Sequence, residues 1–205
     1  MDIHFGARIL ALLGVAAVFS GIDFYRNGKQ ATAYREYGLI FLTGMLGSIV
    51  GGINDAITSS ISPEYFTFGK GLEPGSNLRS EAVRYGIQVG FSGGGVSGAI
   101  LVFLSRYKSN RQPAPFSYLL GSLWIPVAGA ILGALILPPI ASRFDPFDVT
   151  SMARPVITTN RIPDFLHVWW IHFGIYAGLF LGLCIVLALV HRQRAALTMN
   201  NAPYK

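Results

Sequence analysis

Residues 165–191 read FLHVWWIHFGIYAGLFLGLCIVLALVH, without a single Lys, Arg, Asp or Glu. A helix needs ~20 predominantly apolar residues to cross the hydrocarbon core of a bilayer, and this stretch exceeds that. Four further stretches meet or approach the length: 3–24, 37–60, 82–107 and 116–140. The predicted fold is therefore an all-α integral membrane protein, a bundle of about five transmembrane helices forming a single domain over 1–205. The first stretch is the shortest, with an uninterrupted apolar core only over 9–22. A cleaved signal peptide, with Val18 and Ser20 as its cleavage pattern, is the competing reading. One Arg8 beside the acidic Asp2 makes a poor positive leader, so a retained helix is expected.

Composition points the same way. The chain has 205 residues, 52% hydrophobic and 13% charged, about half the charged share of roughly 25% that soluble domains carry. A soluble fold would need more charge than this to cover its surface. The net charge of +6 does not point to nucleic acid. The basic residues lie at the ends of apolar segments, as loop anchors do, rather than on a patch with interleaved aromatics. Cys184 is alone in an apolar run, so it cannot form an intrachain disulfide.

Charge placement sets an expected orientation. The compact loops at 25–36 and 105–115 and the C-terminal tail carry Arg26, Lys29, Arg35, Arg106, Lys108, Arg111, Arg192, Arg194 and Lys205, against only Asp23 and Glu36. The other side mixes seven Lys and Arg with eight acids. The rule that positive loops stay inside then predicts the N-terminus out and the C-terminus in. The long loops 61–81 and 141–164, rich in Pro, Gly, Ser, Thr and Asn, would lie outside.

Glycines recur at four-residue spacing, which places them on one narrow ridge of a helix. Gly47 and Gly51 do so on the second helix, and Gly86, Gly90, Gly94 and Gly98 on the third. Gly129 and Gly133 follow on the fourth, then Gly174, Gly178 and Gly182 on the fifth. Such ridges let helix backbones approach closely in lipid. Packing within the chain is the plain expectation. A sharper one leaves the fifth-helix ridge for a second copy or a partner subunit. Pro126 should kink the fourth helix, and Pro138 and Pro139 should end it.

The second helix carries the most informative polar group. Asp55 and Ser59 continue the Gly47–Gly51 ridge, with Asn54, Thr58 and Ser62 in a row beside it. Asp55 should therefore face protein, ~27 Å along the helix from Tyr37. An ionisable residue in such a segment marks a candidate functional site. Pro63 should break the helix at Ser62 and open a short one, with Ser62 as its cap and Glu64 in its first turn. Tyr65, Phe66 and Phe68 would anchor it at headgroup level. The third helix returns through Glu81, Arg84, Tyr85 and Gln88, and Arg84 is the expected partner of Asp55. The candidate polar site is thus Asn54, Asp55, Thr58, Ser59, Glu64, Arg84 and Gln88.

The run Asn54-Asp55-x-Ile57-Thr58-x-x-Ile61-Ser62-Pro63-Glu64-Tyr65-Phe66 resembles a segment of small uncharacterised bacterial multi-pass inner-membrane proteins. It covers 13 of 205 positions. The resemblance implies a bacterial inner membrane and implies no activity.

His167 and His172 invite a metal reading. Five residues turn a helix by ~500°, so the two rings point ~140° apart and cannot share an ion. With Phe165, Trp169, Trp170, Phe173 and Tyr176 around them, an interfacial aromatic belt is expected instead. No zinc spacing, phosphate-binding loop or nucleophile motif occurs, so no cofactor, metal or catalytic residue is assigned. The leading expectation is a non-enzymatic membrane component that packs with itself or with partners. The alternative is a small transporter or channel-like protein handling a proton, cation or small polar solute near Asp55. An intramembrane enzyme comes third.

Overall fold

The computed structural model describes residues 3–106 and 113–200. Asp2, Lys108, Arg111 and Lys205, used in the charge count, lie outside the described residues. The chain runs through α1 (Ile3–Asn27), α2 (Ala33–Ile61), α3 (Leu78–Arg106), α4 (Phe116–Ser122), α5 (Trp124–Phe144), α6 (Val149–Ala153) and α7 (Ile162–Asn200). No strand occurs among the described residues. Five stretches are long and apolar enough to cross a membrane: α1, α2, α3, α4 with α5, and α7. Large apolar side chains such as Leu10, Phe19, Ile53, Leu135, Phe180 and Leu181 stand exposed on their flanks, a surface suited to lipid.

The helices are organised as two hairpins. α2 packs on α3, and α5 packs on α7, far more closely than either pair packs on the other. Glycine is the cause. In the first hairpin Gly47 lies against the Gly90 carbonyl and Gly51 against that of Gly86. In the second, Gly129 meets Gly178 and Gly133 meets Gly174. Gly94 and Gly98 extend the first contact onto Thr43, and Gly182 closes the second against Pro126. Each hairpin is thus held by two rungs of backbone on backbone. The fifth-helix ridge, expected as a possible seat for a partner, is spent on α5.

α1 stands apart, with none of its most apolar window buried. Phe5 meets Phe91 edge-on at 5.9 Å. At the other end Asp23 accepts hydrogen bonds from the backbone amides of Thr32 (2.8 Å) and Ala33 (2.9 Å), capping α2 from outside its own turn.

Pro126 has the expected effect. It cannot donate to the Ser122 carbonyl, and its ring crowds that carbonyl, so the fourth span breaks at Leu123 between α4 and α5. Pro138 and Pro139 do not end α5. It runs a further turn to Phe144 and closes at Asp145, whose backbone turns left-handed (φ 37°) and donates to the Ala141 carbonyl at 2.8 Å. The Asp145 carboxylate then accepts the amides of Val149 (3.0 Å) and Thr150 (2.8 Å), starting α6.

Beyond the glycine rungs, large rings pack in a core cluster. Tyr65, Phe66, Phe165 and Trp170 are buried there with Val149, Ile157 and Val168. This corrects two expectations. Tyr65 and Phe66 are core rather than headgroup anchors, and only Phe68 of that trio is exposed. The aromatic stretch of α7 is likewise part core: Trp170 is buried and stacked on Phe147 at 5.5 Å, while Phe173 and Tyr176 stay exposed.

The rungs generate a direct prediction. Gly51→Ala would drive a methyl into the Gly86 carbonyl, whereas Gly95 has nothing within 4 Å of an added Cβ. Overpacking of this kind costs about 1–3 kcal/mol. Gly51→Ala should lower the melting temperature in mild detergent, and Gly95→Ala should leave it unchanged or raise it slightly through helix propensity.

Candidate functional site

Asp55 lies one turn beyond Gly51 on the packing ridge of α2. The carboxylate rests over Gly86, where an added Cβ would come within 2.7 Å of Oδ2. Gly86 therefore does two things: it admits the Gly51 backbone and it makes room for the acid. Asp55 is 4% exposed, and a buried carboxylate needs partners.

Its partner is His172 of α7, rather than the expected Arg84. His172 Nε2 stands 2.9 Å from Asp55 Oδ1, and Asn54 Nδ2 donates to the same oxygen at 2.9 Å. Asn54 Nδ2 is also 3.0 Å from His172 Nε2, closing a triangle. On its far side His172 Nδ1 meets the Val168 carbonyl at 3.0 Å. A carbonyl can only accept, so Nδ1 carries a hydrogen. The remaining contact, nitrogen to carboxylate oxygen, then needs one more proton between them. The pair holds that proton either as imidazolium with carboxylate or as imidazole with carboxylic acid. Both forms are neutral overall, which is how two titratable groups can share a buried site.

The helical phase explains why α7 can supply this group. His172 is two residues from Gly174, so it points ~200° away from the rung to α5. One face of α7 is fixed to α5 while the opposite face reaches Asp55. Tyr65 stacks on the imidazole at 4.3 Å between centroids and 29° between planes, and Phe66 meets it edge-on at 5.9 Å. Burial pushes the Tyr65 hydroxyl up from its ordinary value, keeping it a neutral phenol beside the pair.

Asp55, Asn54 and His172 end a cavity of about 190 Å³ between the two hairpins. From there it runs past Tyr85 and Tyr176, along Val50, Val89 and Leu179, to Leu101, Leu123 and Val186. Its walls are almost wholly apolar apart from the Asp55 end, Thr43 and Ser97.

The remaining candidates lie elsewhere. Thr58 and Ser59 are buried, but their hydroxyls donate back to the carbonyls of Asn54 (2.8 Å) and Ala56 (3.4 Å) on their own helix. Arg84 is exposed and shares a separate groove with Phe5, Glu81 and Gln88 on the α1 side of α3. Glu64 forms a clamp. Arg161 Nε donates to its Oε1 at 3.0 Å, Arg161 Nη2 donates to the Ile61 carbonyl at 3.0 Å, and Arg161 Nη1 reaches Asp164 at 2.6 Å. The expected short helix after Ser62 is present, with a π-helical turn at Tyr65–Gly69, but the Ser62 hydroxyl donates to Glu64 Oε2 (2.9 Å) instead of capping backbone. His167 is exposed. Among the described residues no group of three or more His, Cys, Asp or Glu could hold a metal ion.

His172 was legible in principle. An ionisable group in an apolar helix marks a candidate site, and His172 is such a group as much as Asp55 is. The aromatic residues around it suggested a belt and hid that signal. Comparison with known protein families, curated proteins and solved structures finds no match to the chain.

The clamp yields a pH prediction. Burial raises the Glu64 carboxyl, but the hydrogen bonds from Arg161 and Ser62 outweigh it and leave the group below its ordinary value. A group depressed in the folded state stabilises fully above its unfolded value and loses that contribution as pH falls through the folded one. Glu64→Gln should therefore melt earlier than the unaltered protein at neutral pH. The gap between the two melting curves should close below the ordinary carboxylate range.

Proposed function

We propose that the chain is a multi-pass membrane protein that handles a proton together with a small solute at the Asp55–His172 end of the inter-hairpin cavity. The observation that carries this is the 2.9 Å contact between Asp55 Oδ1 and His172 Nε2 at the polar end of an otherwise apolar cavity. A carboxylate paired with arginine would stay ionised and inert. A carboxylate paired with imidazole shares its proton with a group that can both give and take one. Either partner can release that proton when a charged or hydrogen-bonding solute enters beside it.

Orientation and location follow from the charge distribution and the segment resemblance. The compact, acid-poor loops and the C-terminal tail belong on the cytoplasmic side of a bacterial inner membrane. The cavity end with Asp55, the π-helical turn and the Glu64–Arg161 clamp then faces out. A purely structural, partner-packing role has less support than it had from sequence. The glycine ridges that would seat a partner are occupied within the chain.

Proton access is the test. The protein in nanodiscs is titrated between about pH 8 and pH 5, where imidazole changes charge, while carboxyl stretching bands are followed by infrared spectroscopy. A band that responds reversibly to pH and disappears in both Asp55→Asn and His172→Gln supports the reading, with Arg84→Gln retaining it. A pH-independent spectrum, with Asp55→Asn only melting earlier, means a structural pair and removes the proton role.

A further inference from the structure

Lys70 folds back over the polar end of the cavity. Gly71, next to it, has a φ of +68°, the left-handed conformation that glycine adopts without penalty, and Lys70 itself is half-buried. Its Nζ stands 5.4 Å from the ring centroid of Tyr65, 5.5 Å from that of Tyr85 and 5.9 Å from that of Tyr176. Each distance is within the ~6 Å range of cation–π attraction. The three rings come from three separate elements, the π-helical turn, α3 and α7, so together they form a cage. Among the described residues Lys70 makes no ion pair. Burial lowers its pKa, and the charge of Asp55 works in the opposite direction.

The cage continues into the cavity. Tyr85 and Tyr176 line both, and Asn54, Asp55 and His172 lie at the same end. The Lys70 stem arrives from the loop and takes no part in the apolar walls behind. The combination is specific. Tyrosine faces attract a cation and repel an anion. Val50, Val89 and Leu179 suit an uncharged hydrocarbon body.

We propose that Tyr65, Tyr85 and Tyr176, with Asp55 beneath them, form a recognition site for an organic monocation with an apolar body, and that Lys70 is its built-in competitor. This rests on the reading of the cavity end as a solute site. Replacing one ammonium by another leaves the charge of the site unchanged, so the exchange needs no new counter-ion. Displacement frees Lys70 into the loop and opens the way to the Asp55–His172 pair.

The probe is benzyltrimethylammonium, with neopentylbenzene as its uncharged isostere, titrated calorimetrically into protein in nanodiscs. Lys70→Gln should bind the cation about tenfold more tightly or better, as expected when a ~1–2 kcal/mol cation–π competitor is removed. The isostere should bind equally to both proteins, and adding Tyr176→Leu to Lys70→Gln should abolish most of the gain. A second measurement uses the unaltered protein and so does not depend on a variant folding. The cation, but not the isostere, should speed acetylation of Lys70 by an amine-reactive ester, read by peptide mass. An equal gain for both ligands would mean only enlarged space and overturns the proposal. So does the absence of any gain, or acetylation indifferent to the cation. The outcomes separate from those of the proton test: cation binding with a pH-independent carboxyl band keeps the cage and removes the proton role, and the converse removes the cage alone.

Discussion

Backbone contact between glycines determines most of this structure. In lipid there is no hydrophobic drive between helices, and what remains is packing at close range. The rungs Gly47–Gly90, Gly51–Gly86, Gly129–Gly178 and Gly133–Gly174 provide it. They bring α2 to α3 and α5 to α7 so closely that no side chain fits between. The same closeness has a cost in continuity. Glycine-to-glycine contact also leaves α2 and α3 without side chains along their seam, and the cavity between the hairpins lies against that seam, lined by Gly47, Gly51, Gly86 and Gly90. The site is a product of that mismatch: tight within hairpins, loose between them.

Asp55 and His172 complete the arrangement, the acid by continuing a rung and the imidazole by facing away from one. Asp55 comes one turn past Gly51, and Gly86 opposite has no Cβ to exclude its carboxylate. His172 stands on the back of the α7 ridge and crosses the gap to meet it. A single hydrogen-bonded triangle with Asn54 therefore joins the hairpins at the point where a polar group would otherwise be unsatisfied. The Glu64–Arg161 clamp joins them again, between the loop after α2 and the start of α7.

The spans, the ridges and the burial of Asp55 were legible in sequence because each depends on local periodicity. Length and apolarity mark a spanning helix, and four-residue spacing marks a face. The partner of Asp55 is not legible from sequence neighbourhood, which points to the adjacent helix α3. The phase of α3 excludes Arg84: it is two residues from the ridge glycine Gly86, ~200° around the helix, so it points away from α2. His172, 117 residues distant from Asp55, required knowing which face of α7 met which hairpin. Glu64 was misplaced for the same reason, since its partner lies 97 residues on. Pro138 and Pro139 were read by their usual effect, and the helix continued through both.

Sequence separation also has a bearing on how the protein is made. Each hairpin closes between helices adjacent in the chain, apart from the small α6 between α5 and α7, and such local pairings form fastest. The contact between Asp55 and His172 is far less local and needs both hairpins to be complete. A growing chain would thus hold the first hairpin with its acid unmatched until α7 emerges. The arrival of the His172 imidazole is then the event that pairs the buried acid and ties the first hairpin to the second.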